Sequence, residues 1–238
     1  MRYWLVVPAA GSGQRFGAPL PKQYAPLAGR TVIEWALAPF VADPRCAGIR
    51  VAISQRDTHW SALKLEDPAG RLRAVAGGAE RCDSVRAGLA ALPPEAREEW
   101  VLVHDAARPC LGTADRDALL DAGGLAPQGA LLALPLAETL KVAAPVDEEG
   151  FAPVEATADR AGLWRAQTPQ MFRVGILADA LARCEAEGRH PTDEAQAVET
   201  LGHRPRLVAG RATNIKVTSP DDLRLAAAIL ALEEFPSC

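Results

Sequence analysis

The residues best suited to chemistry begin in the stretch Leu5 to Lys22, LVVPAAGSGQRFGAPLPK. Ala9, Ala10, Gly11, Ser12 and Gly13 carry almost no side-chain bulk, so their backbone N–H groups can approach an anion closely. Arg15 and Lys22 add positive charge beside that cradle. A triphosphate needs a loop and cations of this kind. A turn that only links a strand to a helix needs the glycines but neither cation.

Four further clusters could complete a site. Gly77-Gly78-Ala79-Glu80-Arg81-Cys82-Asp83-Ser84 combines two glycines, which permit close backbone approach, with a hydroxyl in the first turn of the next helix. It could read a base or ribose, or be an ordinary glycine turn and helix cap. His104-Asp105-Ala106-Ala107-Arg108-Pro109 follows an apolar run. Asp105 there is a natural metal or ribose partner and Arg108 could grip a second phosphate bidentately. The alternative is a surface Asp–Arg pair. Thr139, Lys141, Arg160, Thr168 and Thr192 offer the hydroxyls and cations that suit a small phosphorylated polyol. Lys216, in Asn214-Ile215-Lys216-Val217, either points into the site or faces solvent from a strand.

Several chemistries are disfavoured. There is no G-x-x-x-x-G-K-[ST] phosphate loop and no G-x-S-x-G nucleophile elbow. Glycines at 11, 13 and 17 miss the dinucleotide spacing, which would need glycine where Phe16 stands. Cys46, Cys82, Cys110, Cys184 and Cys238 are odd in number and scattered, and the four histidines form no ligand pair, so neither a disulfide framework nor protein-ligated zinc is expected. A formal charge of −4 argues against a general nucleic-acid binder. No apolar run is long enough for a bilayer, and Pro8 and Gly11 interrupt the N-terminal run. No membrane association and a cytoplasmic location are the expectations.

The elements that must position these groups read as alternating strands and helices. Strands are predicted at Leu5–Val7, Ile49–Ile53, Leu72–Val75, Trp100–Val103 and Ala130–Leu134. Helices are predicted at Thr31–Phe40 with Thr31 as N-cap, at Asp57–Leu65, at Asp83–Leu92 and at Thr113–Ala122. That order argues for βαβ units and a mostly parallel sheet. From Leu136 to Leu163 the pattern changes to a polar hairpin with its turn near Asp147–Gly150, an arm that either stands in solvent or packs on another subunit. Helices follow at Val174–Glu187 and Asp193–Leu201, and short strands at Arg206–Ala209 and Ile215–Val217. A last helix opens on Ser219-Pro220-Asp221-Asp222. The expectation is one α/β domain over 1–238, a three-layer fold with a protruding β-arm at 136–163.

Taken together, PAAGSGQRFGAPLPKQY, GGAERCDSV, VHDAARP, ETLK, LWRAQTPQMF, TDEA and NIKVT resemble the 2-C-methyl-D-erythritol 4-phosphate cytidylyltransferase family, in its order and over almost the whole chain. The resemblance implies a GT-A-like, Rossmann-like nucleotidyltransferase sheet and a homodimer whose β-arms reach the partner's site. It implies transfer of CMP from CTP to 2-C-methyl-D-erythritol 4-phosphate with Mg²⁺ and release of pyrophosphate, in the non-mevalonate route to isoprenoids. Carried over by position, Pro8 to Gly13 hold the triphosphate, and Gly78, Arg81 and Ser84 hold the cytidine, with Asp105 and Ala106 beside the nucleotide. Arg15 and Lys22 match the pair that meets the transition state. Asp105, Arg108, Thr139, Arg160, Thr168, Thr192 and Lys216 fall on the substrate side, some donated by the other subunit's arm. Arg15, Lys22, Arg160 and Lys216 are the residues expected to carry catalysis. Mg²⁺ is expected to sit mainly on the CTP phosphates, with Asp105 as the one protein candidate.

These residue types suit a direct displacement, because the substrate phosphate is itself an anionic nucleophile and the difficulty is charge repulsion. A ribitol 5-phosphate cytidylyltransferase is the nearest alternative. It tends to show A-G-G and H-D-A-V-R-P where this chain has Ala9-Ala10-Gly11 and Ala107. A sugar-1-phosphate nucleotidyltransferase and a non-enzymatic nucleotide-binding module are the more distant readings.

Overall fold

The computed structural model describes residues 1–11, 20–65, 67 and 69–234, with the side chains of 233 and 234 outside the description. Ser12, Gly13 and Arg15 therefore lie outside the described residues.

A seven-stranded sheet is the centre of the fold. Its strands are β1 (Tyr3–Pro8), β4 (Cys46–Ile53), β5 (Leu72–Ala76), β6 (Trp100–Val103), β7 (Ala130–Pro135), β10 (Trp164–Arg173) and β11 (Arg206–Ala209), in the order β11-β7-β10-β6-β1-β4-β5. All neighbours are parallel except β10, which runs antiparallel between β6 and β7. The mostly parallel, three-layer expectation holds. Small ribbons are made by β2 (Pro26–Leu27) with β3 (Arg30–Thr31) and by β8 (Leu140–Ala143) with β9 (Val154–Ala158).

Strand alternation divides the core into two faces. Tyr3, Leu5 and Val7 of β1 pack with Ile33, Leu37 and Phe40 of α1 (Val32–Val41) and with Leu119 and Leu120 of α3 (Thr113–Gly124). Val6 points the other way, with Val101 and Val103. It meets Val85 and Leu89 of α2 (Arg81–Ala90), Leu177 and Leu181 of α4 (Val174–Ala186), and Ala197 of α5 (Glu194–Glu199). Gly88 of α2 lets that helix close on the sheet, since a Cβ there would stand 2.5 Å from Val6 Cγ1. A smaller third cluster joins α6 (Pro220–Glu234) to Leu27, Val32 and Val217.

The predicted cap is present: Thr31 Oγ1 accepts from Glu34 N at 3.4 Å while Glu34 Oε2 accepts from Thr31 N at 2.6 Å. The hairpin is present too, with Gly150 N donating to Asp147 O at 3.1 Å and Gly150 at φ +88°. Three expectations need correction. Asp57–Leu65 is not a helix but a single 3-10 turn at Trp60–Ala62. The Asp57 carboxylate takes His59 N, Trp60 N and the Tyr24 hydroxyl, so side-chain bonds replace a helical ladder. Ile215–Val217 is not a strand. Val217 N instead donates to Ala107 O at 2.8 Å, tying that segment to the loop after β6. The third is β10, where no strand was expected. Its Gln-rich, proline-interrupted sequence hides it, and a register shift against β7 between Ala166 and Gln170 absorbs Pro169.

Candidate active site

Parallel strands bring their carboxyl ends to one rim, and β1 lies between β4 and β6, where the chain's strand order reverses. Ligands of open α/β sheets bind at such a switch point. A cavity of about 620 Å³ opens there. It is large enough for a nucleotide.

Three backbone segments form its walls. The first is Pro8-Ala9-Ala10-Gly11. Ala9 N is fixed on Ala52 O at 2.7 Å, and buried Gln23 donates from Nε2 to Ala9 O at 2.8 Å and Gly11 O at 3.2 Å. The loop's path is thus set through its carbonyls. Lys22, one residue before Gln23, lines the same cavity. The second segment is the Gly77-Gly78 turn. A Cβ on Gly77 would stand 2.6 Å from Ala10 Cβ, so only glycine allows the first two walls to touch. Ser84 Oγ accepts from Gly78 N at 3.2 Å and donates to Glu80 O at 3.3 Å, which commits that hydroxyl to the turn. The third segment follows β6 and carries Asp105, Ala106 and Ala107.

Asp105 is the electrostatic centre. Its Oδ1 lies 3.0 Å from Arg81 Nε and its Oδ2 2.9 Å from Lys216 Nζ, with Arg108 Nε 3.6 Å from Oδ2. Burial alone would raise the Asp105 pKa, but Arg81, Lys216 and Arg108 outweigh it and hold the carboxyl far below the usual carboxylate range. Arg81 also grips buried Glu194 through two nitrogens, at 2.6 and 3.0 Å. Burial pushes the Glu194 carboxyl up, partly offset by Arg81.

Behind Asp105, Thr168 and His104 form a hydrogen-bonded relay. Asp105 N donates to Thr168 Oγ1 at 3.0 Å, and Thr168 Oγ1 lies 3.1 Å from His104 Nδ1. His104 Nε2 lies 3.2 Å from Arg108 O, which can only accept. The ring is therefore the Nε2–H tautomer, and its Nδ1 accepts the Thr168 proton. Burial pushes the His104 pKa down to about 4.

The structure gathers Pro8, Ala9, Ala10, Gly11, Lys22, Gly78, Arg81, Ser84, Asp105, Ala106 and Lys216 around one cavity. Thr168 sits beside it, buried and holding the Asp105 backbone. Arg108 is turned inward: Nη1 donates to Asn214 O at 2.7 Å and Nη2 to Ala166 O at 3.5 Å. It ties the loop after β6 and the Asn214 loop to strand β10 and is neither exposed nor a surface pair. Thr139, Arg160 and Thr192 do not line this cavity. Thr139 and Arg160 are exposed on the arm, where Arg160 Nη1 donates to Ala137 O, and Thr192 is bonded to Gln196 at the start of α5. Lys141, also on the arm, donates to Thr157 Oγ1 at 2.7 Å.

Sequence reasoning missed Gln23, His104 and Glu194 as working parts of the site. A buried glutamine has no motif signal. Glu194 lies inside TDEA, and its one available sign was an acid in a helix's first turn, which a dipole explains equally well.

Comparison with known proteins agrees with this geometry. Residues 3–232 match the family described as 2-C-methyl-D-erythritol 4-phosphate cytidylyltransferase. An enzyme of that name from Acidithiobacillus ferrooxidans is 51% identical over 235 residues, covering 97% of each chain. One from Halorhodospira halophila is 52% identical over 236 residues, covering 98% of this chain and 95% of the relative. The crystal structure of the Francisella tularensis enzyme of that name superposes with a TM-score of 0.80 at 32% identity, covering 96% of this chain and 100% of that one.

Proposed function

The chain belongs to the 2-C-methyl-D-erythritol 4-phosphate cytidylyltransferase family, and from that premise we propose how its cavity carries the reaction. It is a nucleotidyltransferase that moves CMP from CTP onto 2-C-methyl-D-erythritol 4-phosphate, giving 4-diphosphocytidyl-2-C-methyl-D-erythritol and pyrophosphate, a step of isoprenoid precursor biosynthesis. The ribitol 5-phosphate reading is not favoured, because the matched family and relatives are named for the methylerythritol substrate.

One observation carries the site assignment. A single cavity joins the small-residue loop 8–11, the Gly78 turn and the Lys216–Asp105 pair. The triphosphate lies on the backbone of Pro8 to Gly13, and the cytidine lies against Gly78 and the first turn of α2. A 4-phosphate oxygen of the polyol attacks the α-phosphorus of CTP. The bond from that phosphorus to the bridging oxygen breaks, and the electron pair leaves with pyrophosphate. No protein nucleophile takes part. Arg15 and Lys22 meet the charge that grows on the α-phosphate, where losing one such contact costs about 3 kcal/mol of barrier. Lys216, held by Asp105, orients the attacking phosphate.

Among the described residues no cluster of three or more His, Cys, Asp or Glu could hold a metal ion. Asp105 is already faced by Arg81, Arg108 and Lys216. This donor set does not fit a resident divalent cation. Mg²⁺ belongs instead to the nucleotide substrate, carried in on its phosphate oxygens.

The arm supplies the remaining contacts to a second copy of the chain. Thr139 and Arg160 do not line the cavity of their own chain. The hairpin also carries more apolar surface than its polar sequence suggested, with Val146 66%, Phe151 70% and Val154 63% exposed. Such a surface suits burial in a homodimer that brings Thr139 and Arg160 to the partner's cavity. Among the described residues no helix is long and apolar enough to cross a membrane, and a cytoplasmic location accords with the demand for CTP.

Pyrophosphate release, measured with CTP and each phosphorylated polyol, tests the reading. Turnover with methylerythritol 4-phosphate and CTP is expected. Preference for ribitol 5-phosphate, or for UTP over CTP, overturns it. A trapped nucleotidyl-enzyme adduct would exclude the single displacement.

A further inference from the structure

Glu194 is a carboxylate only 1% exposed, and the transfer steps above give it no task. It stands in the first turn of α5, and Arg81 is the cation that meets it. Arg81 Nη1 and Nη2 take its two oxygens in a fork, while Arg81 Nε turns to Asp105 Oδ1 and Nη2 also stands 3.0 Å from that same Asp105 oxygen. All three guanidinium nitrogens therefore face carboxylate oxygens. Asp105 in turn divides its oxygens, with Oδ1 toward Arg81 and Oδ2 toward Lys216 at 2.9 Å, Arg108 Nε standing farther from Oδ2 at 3.6 Å. The result is a chain of alternating charges: Glu194, Arg81, Asp105, Lys216.

The order of that chain has a consequence. A guanidinium prefers to grip a carboxylate with two parallel N–H bonds. Glu194 satisfies that preference, so Arg81 approaches Asp105 from one side only. Without the Glu194 charge, the Nε–Nη2 edge, which now converges on Oδ1, would be free to turn and take both Asp105 oxygens. Oδ2 would then be shared between Arg81 and Lys216, and Lys216 Nζ would lose its fixed place at the cavity wall.

We propose that Glu194 is a positioning residue for the transfer, acting through Arg81 to keep Asp105 Oδ2 for Lys216. The proposal rests on the transferase reading above. It separates two properties of the site. The backbone cradle of loop 8–11 and the Gly78 turn does not depend on Glu194, so nucleotide binding is largely kept. Orientation of the attacking phosphate does depend on it, so turnover is lost.

The test is a double-mutant cycle on the full chain with CTP, Mg²⁺ and methylerythritol 4-phosphate. Glu194→Gln keeps the shape and removes the charge. It is expected to lower kcat about 10²-fold, the scale of a small misplacement of a reacting group, while equilibrium CTP binding changes less than about threefold. In a Lys216→Met background the same change is expected to cost less than about threefold, since the group it positions is already gone. A folding defect alone would multiply with the Lys216→Met loss. Melting temperature and circular dichroism identify a Glu194→Gln protein that does not fold. Arg81→Lys then replaces it in the cycle, because one ammonium cannot hold both carboxylates, and the same non-additivity with Lys216→Met is expected. Unchanged kcat in a folded Glu194→Gln, or losses that multiply in either cycle, overturns the proposal. Wild-type protein with no turnover sinks the transferase reading and the proposal together, whereas an active wild type indifferent to Glu194 sinks the proposal alone.

Discussion

Lys216 Nζ lies 2.9 Å from Asp105 Oδ2, although one residue follows β6 and the other follows β11. The bond from Val217 N to Ala107 O brings the two loops together beside it. The pair is unequal in its surroundings: Lys216 is 40% exposed at its side chain and Asp105 9%. The two partners should therefore fail differently.

Lys216→Met is expected to leave stability within about 1 kcal/mol of wild type, because a half-exposed ammonium contributes little net. Its turnover is expected to fall about 10²-fold, the scale of losing the group that orients the attacking phosphate. Asp105→Asn leaves Arg81, Arg108 and Lys216 around a neutral amide. Breaking a buried ion cluster in this way costs about 3–5 kcal/mol. Urea unfolding of both variants, with kcat measured in parallel, checks the contrast. Equal destabilisation by both would show that Lys216 is structural.

His104 predicts an acid limb in stability. Its pKa falls from 6.5 unfolded to about 4 folded because burial disfavours the cation. The unfolded chain then binds the proton more readily between those values, so stability is complete above pH 6.5 and declines as pH falls toward 4. The decline amounts to about 3 kcal/mol if no other group titrates. His104→Gln has no such titration, and its stability should be flatter over the same range. Denaturant melts from pH 7 to pH 4 measure this directly. Equal slopes for the two proteins would remove His104 as the cause.

A second, lower window belongs to Asp43, away from the cavity. Burial would raise its pKa. Hydrogen bonds from Arg45 and from the Tyr3 hydroxyl at 2.9 Å, with the Arg116 charge, bring it from 3.8 to about 2. This contribution is present above pH 3.8 and is lost as pH falls through 2, and is worth about 2 kcal/mol. The stability gap between wild type and Asp43→Asn should therefore stay constant from pH 6 to pH 5 and narrow toward pH 2. Catalysis should not follow it, since the network around Asp43 ties Tyr3, at the amino end of β1, to α3, while the cavity with Lys216 opens at the carboxyl end of that strand.

What was legible in the chain follows from how strongly each segment obeys one period. β1, α1, α2 and β6 combine apolar periodicity with a cap or a glycine turn, and the structure places them within a few residues of expectation. β10 obeys no period, because its Gln167, Thr168 and Gln170 are buried by pairing with other loops and with Asp193, not by apolar contact. The first loop, the Gly78 turn and Asp105 were visible because small residues and charges at strand ends have few other uses. Arg108 and Glu194 were not legible in their actual roles. Which way a guanidinium or carboxylate turns depends on partners distant in the chain, such as Asn214 for Arg108 and Arg81 for Glu194.

The arm supports a prediction that does not depend on any single distance. Arg160 is exposed at the base of the hairpin, while Lys216 lines the cavity of the same chain. If the arm serves the partner's site, Arg160→Ala and Lys216→Met each keep only low residual turnover as homodimers, for reasons located in different subunits. Unfolding, mixing and refolding the two in equal amounts makes mixed dimers. In each mixed dimer one site has both defects, and the other has an intact Lys216 and receives an intact Arg160. With half the dimers mixed and half their sites whole, the mixture should recover about a quarter of wild-type activity. A mixture no more active than its components would mean that Arg160 acts on the site of its own chain, or not at all. Light scattering on the same samples, with Phe151→Asp as a control, shows whether the hairpin holds the dimer, since an acid in a buried apolar contact should shift the population toward monomer.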